Sequence, residues 1–259
     1  MTAHGRDFER PEWTQSWCWR RIECAESTRF ENVEQGKQRQ QTLWSRCAGI
    51  DRGLVAPVGP EDWLVLAPVF DELALEPWLI AAREMTGVRL AALPQGWLRR
   101  IAARQCPARV RARRRLSELV RAARRLQLTF ACLCLSESEM RSEPEALPGL
   151  LELVEVLVVT RGADGAEVYV GGERLLVGVA DVSPIDVTGA GDAFAGALMG
   201  ALAQAAELDW ALRLASAAAG LTTERVGAHA LDAERVEALA EGVTIERGRP
   251  ATRDRRLEP

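Results

Sequence analysis

Apolar and polar positions along this chain fall into blocks that switch between strand-like and helix-like spacing. Thr28 to Val33 (TRFENV) and Gln38 to Trp44 (QRQQTLW) carry β-branched or aromatic residues on either side of Glu34, Gln35, Gly36 and Lys37. A glycine-containing turn between two such runs predicts a hairpin. Trp63 to Val69 is a short apolar run that predicts a buried strand, Glu76 to Thr86 a helix, and Val88 to Leu93 the next strand. Between 108 and 127 the chain is arginine-rich, with Val110, Leu116, Leu119, Val120 and Ala123 at helical spacing. That spacing predicts an amphipathic helix with its arginines in water rather than a nucleic-acid patch. Leu128 to Leu135 is strand-like again.

The second half is more regular. Leu147 to Glu155 predicts a helix, Val156 to Thr160 a buried strand and Arg161 to Gly165 a turn. Ala166 to Val170 and Arg174 to Val179 predict a hairpin across Gly171 and Gly172. An alanine-rich helix is expected from the 186–192 segment to about Ala205, a second from Leu208 to Glu224, and a last from Ala233 to Glu241. Strands alternating with helices imply an α/β fold with a mostly parallel sheet. No linker interrupts the pattern, so residues 1–245 read as one domain with a small lid-like hairpin at 17–44, and 246–259 as a charged tail.

Composition narrows the chemistry. With 47% hydrophobic and 27% charged residues the chain is globular rather than disordered. The net charge of −4 works against non-specific nucleic-acid binding. The longest apolar stretch, Phe194 to Ala206, contains Gln204 and is too short to span a bilayer. The charged start lacks the apolar core of a signal peptide, and a cytoplasmic protein is the expectation. None of the six cysteines forms a CxxC pair, and only His4 and His229 could supply imidazoles, so no structural zinc site is expected. Lys37 is the only lysine and has no GxxxxGK context, which sets aside Schiff-base enzymes and Walker-type NTPases.

The stretch that carries chemistry is Asp186-Val187-Thr188-Gly189-Ala190-Gly191-Asp192-Ala193-Phe194. Glycines spaced by alanine before a helix let a ligand approach the backbone, and the helix N-terminus offers N–H groups and the positive end of its dipole. Asp192 at the start of that helix could take a proton from an alcohol while the amides hold a phosphoryl group. A tight turn with an N-cap would account for a GxGD sequence standing alone.

The segment does not stand alone. With Asp186, Thr188 and Phe194 around it, it resembles the C-terminal signature of the ribokinase-like (PfkB) carbohydrate kinases. Thr160-Arg161-Gly162-Ala163-Asp164-Gly165 after a strand resembles that family's nucleotide-binding turn. Ser136-Glu137-Ser138-Glu139 lies where the family carries an Asn-x-x-Glu element, and Arg213 to Gly227 is similar to the helix and loop that close over adenine. The resemblance implies a ribokinase-like fold and an ATP-dependent transfer to an alcohol of a sugar, polyol or similar small molecule. It implies Asp192 as base and Gly189, Ala190 and Gly191 as the anion hole. Thr160, Arg161, Gly162, Gly165, Ser216 and Gly227 would lie on the nucleotide side, with Ser216 standing in for the usual asparagine. Glu139 would act through water on Mg²⁺, with Ser136 replacing an asparagine. Asp186 and Thr188 would lie near a monovalent cation (K⁺) site.

The resemblance covers roughly residues 20 to 242 and departs at the front. Met1 to Phe8 is similar to a later family element, a strand ending in Gly-x-Asp, so the chain is expected to lack an N-terminal β-α-β portion of about 30 residues or more. Two readings follow: an active kinase, or a catalytically impaired nucleotide- or sugar-binding paralogue. A kinase of a pyrimidine or other vitamin precursor ranks below both. An exposed apolar face on the lid hairpin would suit a homodimer. No nucleic-acid or membrane partner is expected.

Overall fold

The computed structural model describes residues 2–35, 38–51, 53, 59–101, 106–113 and 116–248. Strands are β1 (Thr2–Gly5), β2 (Arg21–Cys24), β3 (Arg29–Gln35), β4 (Gln38–Ser45), β5 (Trp63–Leu66), β6 (Arg89–Ala92), β7 (Arg99–Ile101), β8 (Ala108–Arg113), β9 (Phe130–Ser136), β10 (Val154–Thr160), β11 (Ala166–Val170), β12 (Glu173–Val177) and β13 (Ile245–Arg247). Helices are α1 (Leu75–Glu84), α2 (Leu116–Arg125), α3 (Glu137–Arg141), α4 (Leu147–Leu153), α5 (Ala190–Ala203), α6 (Leu208–Thr222) and α7 (Ala233–Glu241). The sequence reads 1–245 as one α/β domain; in the structure the chain gathers into two compact units.

The first unit holds residues 1–60, 66–88 and 94–128. The predicted hairpin is present as β3 and β4, in antiparallel register from Arg29↔Ser45 to Gln35↔Gln38. The tip of its turn, 36–37, lies outside the described residues. β8 and β7 extend it into a four-stranded sheet of order β3-β4-β8-β7. β2, which the lid reading at 17–44 includes, instead pairs in parallel with β1.

The helix expected over 108–127 needs correction. Residues 108–113 form a strand that pairs with Thr42 and Leu43 of β4, and the helix spans only 116–125. The run Ala-Arg-Val-Arg-Ala-Arg has period two, and an antiparallel partner takes up its backbone groups. Within α2 the amphipathic reading holds. Leu116, Leu119, Val120, Ala122 and Ala123 are buried, while Arg121, Arg124 and Arg125 face water.

The second unit holds residues 61–65, 89–93 and 129–259. Its seven-stranded sheet has the order β13-β12-β11-β10-β9-β6-β5. β6, β9 and β10 run parallel, and β11, β12 and β13 add an antiparallel edge. Strands covered on both faces must be apolar throughout; accordingly Phe130 to Leu135 of β9 are all buried. α5 and α6 pack through small side chains, with Ala195, Leu198, Ala211, Leu212 and Ala215 fully enclosed in the same core as Val158 and Val168. The expected tail begins later than 246, because β13 pairs Ile245, Glu246 and Arg247 with β12. An unpaired sheet edge takes up whatever backbone reaches it. Here Arg247 also bonds Glu173 at 2.6 Å.

Candidate active site

The residues singled out between 136 and 227 all belong to the second unit. Ser136 and Thr160 stand opposite each other at the carboxyl ends of the parallel strands β9 and β10. The Thr160 hydroxyl donates to the carbonyl of Leu135 at 3.3 Å, tying the two strand ends together. Ligands of open α/β sheets bind at this edge. Immediately beyond β9, Ser136 caps α3 in a reciprocal box. Its Oγ accepts from the Glu139 amide at 3.3 Å, and Glu139 Oε2 accepts from the Ser136 amide at 2.8 Å. Glu139 is thereby half-committed to capping, which leaves Oε1 outside the box.

The segment before α5 is held by backbone bonds. Ile185 and Asp186 both donate their amides to the carbonyl of Thr223, at 2.7 and 2.9 Å. Asp186 Oδ1 accepts from the Thr188 amide at 2.9 Å. The amide and hydroxyl of Thr188, together with the amide of Gly227, hold the Asp186 carboxyl below the ordinary 3.8. The loop after α6 and the turn before α5 therefore meet at one carboxylate. Gly189 caps α5 with φ 85°, a left-handed conformation that glycine adopts without strain. The first amides of a helix have no partner within it, although Ala190 donates to Val187 at 3.3 Å. At Gly191 a side-chain carbon would meet nothing within 4 Å. Asp192 lies in the first turn of α5 and is exposed.

Other residues have different employment. Arg161 bonds Glu167 at 3.0 Å and the Asp164 carbonyl at 2.9 Å. Glu167 is shared with Arg174 at 2.6 Å and with the Tyr169 hydroxyl at 2.8 Å. Burial works against the charge on Glu167, but the Arg174 and Tyr169 hydrogen bonds and the two guanidinium charges outweigh it and lower its pKa. Ser216 is buried and donates its hydroxyl to the Gly178 carbonyl at 2.7 Å. A nucleotide contact from that hydroxyl would have to displace this bond. Gly162 is open, with φ 59° and no neighbour to an added carbon. Gly165, with φ 79°, would place such a carbon 2.0 Å from the Val177 carbonyl oxygen, so the hairpin itself demands glycine there.

Three residues to which the sequence reading gives no role also belong to these loops. Ile185, Val187 and Val226 are 73%, 70% and 78% exposed. Large apolar side chains in a polar loop were the sequence signal, and it is legible only once Asp186 and Gly227 are known to meet.

A sheet with a parallel centre and an antiparallel edge, flanked by helices, is a ribokinase-like α/β fold. Solved structures agree on the fold. Ribokinase from Thermotoga maritima superimposes with a TM-score of 0.63 at 21% identity, over 92% of this chain and 80% of that one. Aminoimidazole riboside kinase from Salmonella enterica, solved with aminoimidazole riboside and an ATP analog, gives 0.60 at 20% identity, over 77% and 70%. Residues 127–234 match the model of the pfkB family of carbohydrate kinases. Ribokinase from Bacillus subtilis is 39% identical over 72 residues, 28% of this chain and 25% of that protein. The bifunctional protein HldE of Pseudomonas paraeruginosa is 39% identical over 106 residues, 40% of this chain and 22% of that protein. The chain thus spans about a quarter of the length of the curated relatives it matches.

Proposed function

We propose that this chain is an ATP-dependent phosphotransferase acting on an alcohol group of a sugar, polyol or similar small molecule. The observation that carries the reading is the start of α5: a left-handed Gly189, open space at Gly191, and the exposed carboxylate of Asp192 one residue on. Helix amides there would receive the transferring phosphoryl group, and the helix dipole would offset its negative charge. Asp192 would accept the proton of the attacking hydroxyl, which is the chief protein-side task in a loose phosphoryl-transfer transition state. Thr160, Gly162 and the Gly227 loop would border the nucleotide, and Ile185, Val187 and Val226 would give its base an apolar surface. With its guanidinium held by Glu167, Arg161 would act on the shape of the turn rather than directly on phosphate.

Among the described residues no group of three or more His, Cys, Asp or Glu is placed to hold a metal. That suits Mg²⁺, which is ordinarily held by substrate phosphates and water with one or two carboxylates. Glu139 would hold it through water from Oε1, and the ion when bound would neutralise charge on the nucleotide phosphates. The Asp186–Thr188–Gly227 turn would border a monovalent cation such as K⁺.

The test is ADP formation from ATP with a panel of sugars and polyols, comparing the native chain with Asp192→Asn. The reading expects turnover with at least one acceptor, a loss of roughly 10³-fold or more in the variant, and nearly unchanged ATP binding. ATP binding without turnover in either protein would favour an impaired paralogue, and equal turnover in both would remove Asp192 from the chemistry.

A further inference from the structure

The first unit contains a feature independent of the phosphotransferase site. β2 ends at Cys24, and β4 ends two residues before Cys47. The segments that follow these strands are stitched together. The Ser45 hydroxyl donates to the Ser27 carbonyl at 2.7 Å, and the Cys47 amide donates to Thr28 Oγ1 at 3.0 Å. The Cys47 thiol donates to the Glu26 carbonyl at 3.3 Å, and the Ala48 amide donates to Cys24 Sγ at 3.2 Å. Since the Ala48 nitrogen is joined through one carbonyl carbon to Cys47 Cα, standard backbone dimensions put Cys24 Sγ within about 5.6 Å of Cys47 Cα. That is the neighbourhood a disulfide needs. Both cysteines are free thiols, Cys24 partly exposed and Cys47 buried.

We propose that Cys24 and Cys47 form an oxidant-sensitive thiol pair, in which Cys24 meets a small peroxide and Cys47 closes the disulfide. The Cys24 sulfur, its proton released to solvent, attacks a peroxide oxygen. The S–O bond forms, the O–O bond breaks, and water or an alcohol leaves. The Cys47 sulfur then attacks the sulfenic sulfur of Cys24. The S–S bond forms, the S–O bond breaks, and hydroxide departs with the Cys47 proton as water. Two thiols give up two electrons to one peroxide. Division of labour follows from access: burial first, then the neighbouring Cys24 thiol, pushes Cys47 up to about 12, so it is the protonated, waiting member of the pair. The other close pair, Cys132 and Cys134 with sulfurs 3.9 Å apart, is enclosed in the core of β9, away from a dissolved oxidant. A Cys24–Cys47 bridge would join the two ends of the β3–β4 hairpin covalently and shorten the excursions open to it in the unfolded chain.

Trypsin reads the outcome directly, because Ile22–Arg29 and Cys47–Arg52 each contain a single cysteine. The folded, full-length chain is treated with hydrogen peroxide, the remaining thiols are alkylated, and the digest is analysed by mass spectrometry without reductant. The expected result is a linked Ile22–Arg29/Cys47–Arg52 species that dithiothreitol splits, with Cys132 and Cys134 still alkylatable after unfolding. The same treatment in urea should give mixed pairings. The oxidised chain should melt several degrees higher, and reductant should reverse this. Cys47→Ser should leave Cys24 trapped by a sulfenic-acid reagent. Cys24 carried to sulfinic acid in the native chain without any linked peptide, or the same pairings in buffer as in urea, would overturn the proposal. None of these readouts depends on kinase activity.

Discussion

Gly191→Val separates the ligand role proposed for the 186–192 turn from its role in folding. The glycine is the second residue of α5, its φ is not left-handed, and a carbon built on it meets nothing within 4 Å. Valine is slightly better than glycine in a helix, so stability should change by no more than about 0.5 kcal/mol. For a chain of this size that is a shift in Tm of about 2 °C or less. The space around this residue is where the phosphoryl group would have to approach the amides, and a branched side chain would fill it. Loss of such amide donors typically costs on the order of 10²–10³-fold in rate. Circular dichroism melting and coupled ADP release on the same preparation give both numbers. A variant that melts with the native protein and turns over at the native rate would refute the anion-hole assignment; one that unfolds early would refute the claim of open space.

At Gly165 the opposite split is expected. Alanine there must adopt φ 79°, ψ −133° and place its Cβ 2.0 Å from a backbone oxygen, so Gly165→Ala should cost about 3 kcal/mol or more and lower Tm by about 6 °C or more; a Tm within 1–2 °C of native would contradict this. Glu167→Gln should destabilise by about 2 kcal/mol in urea titrations, because Arg161 and Arg174 would lose a shared, largely buried carboxylate; an unchanged midpoint would argue that the cluster is incidental. Glu167 has a lowered pKa when folded, so its contribution is present above pH 4.5 and fades as pH falls through the folded value; acid unfolding of the native chain but not of Glu167→Gln should show that loss. Asp186 is lowered likewise, so the Thr188 and Gly227 amide resonances should titrate together with a midpoint below 3.8, and a midpoint at or above 3.8 would dissolve the proposed junction.

Elements whose burial is complete were the legible ones. β9 from Phe130 to Leu135 and the Val156–Val159 part of β10 are continuous apolar runs, and no partner need be known to see it. α7 begins at Asp232, whose side chain accepts from the amides of Glu234 and Arg235, so the helix start was written locally. Residues 108–113 and 245–247 were not, since each is a strand only because a distant edge receives it: β4 in the first case, β12 in the second. An arginine at every second position satisfies a strand, yet with Val110 and Leu116 nearby it can also be fitted to a helix.

The site divides along the same line. At 186–192 the proposed chemistry uses main-chain amides and one carboxylate, which need only small residues before a helix; that requirement is visible in a string of letters. Arg161, Ser216 and Gly165 are residue types that a nucleotide site would also use, but each has a neighbour in the fold that claims it: Glu167 and Asp164 for the guanidinium, Gly178 for the hydroxyl, Val177 for the bare Cα. A hydrogen bond already made inside the protein must be broken before the same group can serve a ligand, and that exchange offers little net gain. Gly191, where the backbone is not left-handed and an added carbon meets nothing within 4 Å, is therefore where substitution should alter turnover more than stability.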